Sequence, residues 1–457
     1  MSITQYTNAI MQSIHLRSLI KATVTLPKIA ISIIVMPIIV SPVMAQSLEQ
    51  AVVHTLSSNP DIRSAYNEFM SRSELINAST GKYRPSVDLE AGIGYENYDN
   101  KLGSEGDFDP RNAKISLKQL LWDGSITYND IQRNKAEAEA QRYQLLSDAQ
   151  DMALDTTESY LGVLQAQEIL TLSEANFLVH QRIYKDIKRR ADSGVSSTAD
   201  LSQVEGRLAS SNSNLLSAQS NVNDAKVAFS RIVGAYPDAL EKPEVDVNYV
   251  VSSLADAIKK ARENNPVVFI ASNDINAARY QYEQAKGSYY PAFNFETSQE
   301  WGDELNGSNG DTDEFKVMLT MRYNLYNGGV DEAQSRRAAY QISQSKDIRD
   351  RALRMLDEGT RLAWSAMQLA SAQAEFLKTH VDSSTRTLLA YEKQFKIGQR
   401  TLLDVLNTEN ELFESRKAFL SAHYSGILAQ YRVLNATGLL LNAMRVDVPE
   451  NWLNAVK

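Results

Sequence analysis

Few side chains here have the types and spacing for covalent or metal chemistry. The 457 residues include no cysteine, which excludes disulfides, thiolate metal sites, a cysteine nucleophile and a lipid-anchored N-terminal cysteine. The five histidines are scattered, with no His-Glu-x-x-His or other ligand spacing. No catalytic residue, cofactor site or metal site is expected. What does recur is a charged pattern. "SGVSSTADLSQVEGRL" (193–208) and "IGQRTLLDVLNTENELF" (397–413) overlay with a shift of 204 positions. That sets Gly398 on Gly194, Asp404 on Asp200, Glu409 on Glu205 and Leu412 on Leu208. Taken as residues alone, Arg400 and Asp404 lie four apart and make a solvated ion pair of the kind that contributes little. Two acidic, glycine-rich stretches, "NYDNKLGSEGDFDPRN" (97–112) and "GDELNGSNGDTDE" (302–314), lack the Asp-x-Asp-x-Asp-Gly order and terminal Glu of a calcium loop. They read as solvated external loops.

The elements that carry this pattern belong to a chain with an export signal. Residues 1–45 contain Arg17, Lys21 and Lys28, no acid, and then the apolar run "IAISIIVMPIIVSPVMA". That is the pattern of a secretory signal cleaved before Gln46, with Met11 as an alternative start. Pro37 and Pro42 interrupt the run, and it is shorter than the ~20 apolar residues of a spanning helix. Without the leader, 44 basic residues face 56 acidic ones, a net charge of −12, which argues against nucleic-acid binding. No other apolar run reaches spanning length. Such a chain is either soluble in the cell envelope or crosses a membrane as a barrel.

The chain is a duplication. "SLEQAVVHTLSSNPDIRSAYN" (47–67) answers "SLADAIKKARENNPVVFIASN" (253–273), "GKYRP" (81–85) answers "GSYYP" (287–291), and "LLWDG" (120–124) answers "NLYNG" (324–328). The repeats are placed at 46–252 and 253–442, followed by a tail at 443–457. No proline lies between Pro110 and Pro237 or between Pro291 and Pro449. Breaker-free stretches of this length predict very long helices, at about 125–193, 198–233, 329–397 and 401–437. A heptad seam runs through Leu353, Leu356, Thr360, Ala363, Met367, Ala370 and onward to Tyr391 and Phe395. It is rich in Ala and Ser, which suits helices laid side by side in a curved wall. Between the helices lie four stretches of period two, at about 86–96, 114–122, 292–301 and 315–326. In "FKVMLTMRYNLY", Phe315, Val317, Leu319 and Met321 alternate with Lys316, Thr320 and Arg322. An apolar face backed by a polar one, over about ten residues, is the signature of a membrane barrel strand with a wet lumen.

In their order and doubling, these marks resemble the TolC-type outer-membrane channel-tunnel proteins of Gram-negative bacteria, over about 47–442. The resemblance implies a mainly α fold with a membrane β-barrel part. In a homotrimer, each chain would give four strands to one 12-stranded barrel in outer-membrane lipid, and its long hairpins would form an α-barrel across the periplasm. A periplasmic adaptor (membrane fusion) protein and an inner-membrane pump would dock at the closed inner end and open it. The chain would catalyse nothing. Gly194, Val195 and Ser196, with Gly398, Gln399 and Thr401, would be the adaptor-docking helix turns.

The resemblance also implies a periplasmic gate. The family's pattern there is a Tyr, then Val-Gly-Thr-Arg-Thr, then Asp-Val-Leu-Asp. Phe395 stands at the Tyr, Arg400 at the Arg, Asp404 at the first Asp and Asn407 at the second. Asp200 is the implied partner of Arg400, and Asp404 the source of a carboxylate ring. Phe395 lacks the Tyr hydroxyl, and Asn407 removes a second acidic ring. "SGVSSTADLSQVEGRL" and "LLWDG" look like members serving type I secretion, with an ABC transporter. Small-molecule (drug or metal) efflux with a proton-driven pump is the alternative. A soluble periplasmic coiled-coil scaffold is the alternative of another class.

Overall fold

The computed structural model describes residues 45–100, 104–246, 248–307 and 309–453, so all of the expected leader but Ala45 lies outside them. A short helix α1 (Leu48–Ser58) meets α2 (Pro60–Gly81) at Asn59. Strands β1 (Ser86–Ile93), β2 (Glu96–Asn100), β3 (Ser104–Phe108) and β4 (Arg111–Trp122) follow. Helix α3 (Ile126–Asp192) then runs 67 residues, ~100 Å at 1.5 Å per residue, and α4 (Thr198–Val233) returns beside it. The second repeat repeats the order: α5 (Leu254–Asn264), α6 (Pro266–Lys286), β5 (Ala292–Asp303), β6 (Asp311–Arg322), α7 (Val330–Lys396) and α8 (Leu402–Ala436). Two one-turn helices, α9 (Leu440–Ala443) and α10 (Glu450–Leu453), end the described chain.

The repeated Asn-Pro is a joint. Proline cannot continue a helix but fits its first turn. The side-chain oxygen of Asn59 accepts from the Asp61 amide at 2.8 Å, and its side-chain nitrogen donates to Ile232 O at the end of α4, 2.9 Å away. Asn265 does the same with the Val267 amide at 3.0 Å and Ala436 O, at the end of α8, at 3.1 Å. One side chain thus caps a starting helix and anchors the end of the long returning one. Around the first joint lies the main core, with Leu48, Val52, Ile62, Phe69, Tyr160, Phe229, Val233 and Leu434 all buried. The Tyr160 hydroxyl reaches Gln46 O and Glu241 O, each at 2.7 Å. The tail, which the sequence leaves without a role, packs into this core through Met444, Val446 and Trp452.

Strands β1, β4, β5 and β6 form one antiparallel sheet in the order β1-β4-β5-β6, so among the described residues β1 and β6 each keep an unpaired edge. Register decides the faces, because residues directly opposite share one. Val87, Leu117, Thr297 and Val317 lie in one row, and Leu89, Ile115, Gln299 and Phe315 in the next. Of these, Leu89 (71% exposed) and Phe315 (68%) have no cover among the described residues. The opposite face carries Glu90, Lys114, Glu300 and Glu314 in one row, with Lys114 3.3 Å from Glu300, and Lys118 3.6 Å from Glu296. Aromatic residues gather at one end, where Trp122 stacks on Phe293 and meets Tyr290 edge-on.

Three strand expectations need correction. The stretch 97–112, expected as a loop, contains the two-stranded sheet β2–β3. Asp107 holds it, accepting from Asn97 and from the Tyr95 hydroxyl at 2.7 Å each, and Phe108 is buried. The expected strand at 86–96 is cut after Ile93, because Pro110, opposite Gly94, has no N–H to extend the ladder. Third, β5 and β6 reach Asp303 and Asp311, shortening the second loop, while β6 stops at Arg322. Beyond it, Asn324 turns the chain by accepting from the Tyr326 amide at 3.1 Å.

The repeats are unequal at one corresponding glycine. Gly234 (φ 84°) and Gly438 (φ 72°) both end a long helix in the left-handed region. A Cβ on Gly234 would meet only Ser58 Oγ at 3.8 Å, whereas one on Gly438 would sit 2.8 Å from Asn264 O and Asn265 Cα, both backbone. Gly234→Ala is therefore expected to cost about 1–2 kcal/mol of backbone strain. Gly438→Ala is expected to cost that and a collision with the Asn-Pro joint. Thermal midpoints in detergent at one scan rate check the order; equal shifts would mean that the joint is soft.

Candidate functional site

The repeated motif has a local physical cause. At the end of α3, Gly194 takes φ 74° while the Val195 amide donates to Arg190 O at 2.8 Å, a closing turn that needs the left-handed region. Ser197 then caps α4: its hydroxyl accepts from the Asp200 amide at 3.0 Å, and the Asp200 carboxylate accepts from the Ser197 amide at 3.2 Å. At the other turn Gly398 takes φ 77° and the Gln399 amide donates to Gln394 O at 2.9 Å. Thr401 and Asp404 form the same reciprocal box, at 3.3 and 3.2 Å. Glycine, then Ser or Thr three positions on, then Asp three further, is a helix stop followed by a helix start. These hydrogen bonds, the Ser197 and Thr401 side chains first, hold both carboxyls below the usual range. Val195 and Ile397 stand exposed at the two tips.

The Arg400–Asp200 pair is not formed within the chain. Asp200 is occupied by its own cap, and the Ser196 hydroxyl donates to it at 3.1 Å. Arg400 instead lays its guanidinium 4.2 Å from the centre of the Tyr391 ring and donates through Nε to Gln394 Oε1 at 3.1 Å. Its Nη1 lies 3.9 Å from Asp404 Oδ2, a long, half-exposed pair that contributes little. Phe395, which stands at the family's Tyr, is half-buried, and Asn407 is exposed.

Several residues that sequence reasoning did not single out join the two turns. Ile187 of α3, Val204 of α4 and Leu402 and Leu406 of α8 form a buried apolar plug, with Phe395 packed against it. Asn407 Oδ1 accepts from Arg207 Nη2 at 2.8 Å across the two hairpins. Tyr391 and Phe395 were legible as seam residues. Arg207 carried no signal, because its counterpart at the 204 offset is Glu411. No metal-binding cluster of His, Asp and Glu occurs among the described residues.

Beside Arg207, His180 on α3 is buried and its Nδ1 has no hydrogen-bond partner among the described residues. Burial first, and then the Arg207 charge, push its pKa below the usual imidazole value. On α8, burial pushes the Glu409 carboxyl up, against the charge of Arg416 and with that of Glu392 adding. The signs oppose. A depressed His is charged in the unfolded chain first, so its contribution is lost as pH falls below about 6.5. A raised Glu keeps its proton longer in the fold, so its penalty eases as pH falls. His180→Leu is expected to flatten the loss of thermal stability between about pH 7.5 and 5.5 relative to wild type. An unchanged slope would place the titrating group elsewhere.

The family model described as outer membrane efflux protein matches residues 51–235 and 257–439, the two repeats in turn. The chain is 25% identical over 423 residues to the outer membrane efflux protein BepC of Brucella suis, covering 91% of each. It is 23% identical over 360 residues to the alkaline protease secretion protein AprF of Pseudomonas aeruginosa, covering 76% of this chain and 74% of that one. Its fold matches the crystal structure of the outer membrane protein VceC of Vibrio cholerae with a TM-score of 0.73 at 16% identity, over 86% of this chain and 96% of that one. With both repeats matched and the long helical hairpins and four-stranded sheet in place, the chain belongs to the outer membrane efflux protein family, outer-membrane channels whose helical tunnel extends into the periplasm.

Proposed function

We propose that this channel is the exit duct of a type I protein secretion system, working as a homotrimer with a periplasmic adaptor and an inner-membrane ABC transporter. The observation that carries the duct is the four-stranded sheet, apolar on one face and charged on the other, with bare edges at β1 and β6. Bare edges are not tolerated in lipid, so the sheet must be closed by further copies. A second uncovered surface supports the same assembly. Ile348, Met355, Leu362, Leu369 and Phe376 recur every seven residues along α7, and all are exposed. A heptad stripe of this kind is a seam for another helix.

The protein cargo is supported by the likeness to AprF, a protease secretion protein by name, together with the first-turn and "LLWDG" stretches. The likeness to BepC, an efflux protein by name, favours small-molecule efflux as the second reading. Arg400 and Asp404 stand at the periplasmic opening in this reading. Three Asp404 carboxylates form one ring, and rings of this kind favour cations. Asn407 supplies no second ring. The exposed Val195, on the Gly194–Ser196 turn, and Ile397, just before the Gly398–Thr401 turn, suit adaptor docking.

The signature of the sheet is testable by charge. Leu319→Lys, on the apolar face, is expected to cost ~2–4 kcal/mol of insertion and to deplete the protein from the outer-membrane fraction. Thr320→Lys, on the charged face beside Glu296, is expected to insert normally and to reduce cation preference. Equal tolerance of both would sink the barrel and leave a periplasmic scaffold. Single-channel recording in planar bilayers tests the gate: low, cation-preferring conductance for wild type and larger openings for Arg400→Ala. Identical conductance would keep the duct and move the gate away from Arg400. Cargo is read from a deletion strain. Loss of a secreted protein supports the type I assignment, and loss of drug or metal tolerance alone supports efflux.

A further inference from the structure

Where the sheet meets the helices there is a pocket with its own chemistry. Strand β4 ends at Trp122 and α3 starts at Ile126, while α6 and a single 3-10 turn (Gly287–Tyr289) end just before β5. The two connections touch through glycines. A Cβ on Gly124 would collide with Gly287 O, and one on Gly287 with Ile126 Cγ1. Backbone packed this closely leaves the larger side chains standing around it. Trp122, Tyr128, Tyr289, Tyr290, Glu283 and Lys286 wall a pocket of about 530 Å³. Register shows which side it borders. Trp122 lies opposite Phe293, and Phe293 opposite Met321, so all three share the apolar face. The Trp122 ring stacks on Phe293 at 6.2 Å between centres and meets Tyr290 at 6.0 Å. The pocket therefore borders the lipid-facing side at its helix end, the depth of the periplasmic headgroups. Trp and Tyr suit that depth, with an apolar body and a polar edge.

The charges narrow the occupant. Lys286 Nζ donates to Glu283 Oε1 and Oε2 at 3.1 and 3.2 Å, and both side chains are half-exposed in the last turn of α6. One ammonium beside one carboxylate matches a ligand that carries a phosphate beside an ammonium, because each protein charge can turn to the opposite charge of the ligand. The Trp and Tyr faces add cation–π attraction for the ammonium. A headgroup with a phosphate alone meets a carboxylate it cannot pair. The feature is confined to this junction. At the shift of 206 positions, Asn77 and Thr80 stand where Glu283 and Lys286 are. A Cβ on Gly81 or Gly328, the counterparts of Gly287 and Gly124, meets nothing within 4 Å among the described residues.

We propose that this pocket holds the headgroup of a zwitterionic glycerophospholipid, with its phosphate on Lys286 and its ammonium on Glu283 and the aromatic faces, one lipid per chain. The site rests on the sheet spanning the outer membrane and not on which cargo passes through the duct.

Lipid retention in native mass spectrometry tests it, with the purified protein stripped of lipid in detergent and titrated with phosphatidylethanolamine or phosphatidylglycerol of the same acyl chains. Wild type is expected to bind the ethanolamine lipid about tenfold more tightly, the effect of one charge-assisted hydrogen bond. Lys286→Met is expected to weaken both lipids. Glu283→Gln is expected to weaken the ethanolamine lipid and strengthen the glycerol lipid, reversing the preference, because Lys286 is then free for phosphate. Loss of both lipids together in Glu283→Gln would mean that the pair is merely structural and overturns the assignment. Excess inorganic phosphate is expected to displace neither lipid; displacement would make this a free-phosphate site and overturn the lipid. Equal affinity for the two lipids, unchanged in Glu283→Gln, overturns the pocket alone where Leu319→Lys still depletes the outer-membrane fraction. Tolerance of Leu319→Lys removes the barrel and the lipid site with it.

Discussion

A backbone N–H or C=O facing lipid has no water to bond to, and each one left bare costs several kcal/mol. Four strands in a row leave two such edges, on β1 and β6. This constraint organises the rest of the molecule. It leaves the sheet of a single chain with two open edges, and along the helices the Ile348–Phe376 stripe of α7 stands uncovered as well. The same constraint explains why the strands alternate so regularly. One face must meet hydrocarbon, and the other carries the Lys114–Glu300 and Lys118–Glu296 pairs.

Duplication meets this demand with a small set of reused parts. Asn59 and Asn265 each cap one helix and hold the end of another. Gly194 and Gly398 each stop a long helix, and Ser197 and Thr401 each restart one. The copies then diverge where their surroundings differ. Helix α3 buries residues along most of its length, from Thr127 to Ile187, while α7 buries few. The core formed at the first joint recruits the C-terminal tail, and the second joint presses against Gly438. Near-symmetry in sequence thus yields one well-buried helix from each hairpin, α3 and α8, with α4 and α7 the more exposed partners.

The tip shows how two roles share one short segment. Asp200 and Asp404 are helix caps before they are anything else, with carboxylates already committed to Ser197 and Thr401. Arg400 is held by Tyr391 and Gln394 of its own helix hairpin. What joins the hairpins is apolar contact beside the Arg207–Asn407 hydrogen bond; Val204, Arg207, Leu402, Leu406 and Asn407 lie within the repeated stretches, and Ile187 and Phe395 just outside them.

The sequence by itself determined the mainly helical, duplicated architecture and the two-faced strands. These rest on local rules: proline placement for long helices, period two for strands, glycine with Ser or Thr for turns. It also marked the Asn-Pro joints and the chemistry of the tip residues. It did not disclose β2–β3, whose stability comes from Asp107 bonding across the hairpin and from a buried Phe108. Nor did it disclose the partners of Arg400, Asn407 and Phe395. Contacts 200 residues apart, such as Arg207 with Asn407, follow from how two hairpins lie against each other, and no periodicity within one helix encodes that. Tertiary packing decided which arginine meets which acceptor, because each guanidinium can reach several groups and only the placement of the helices selects one.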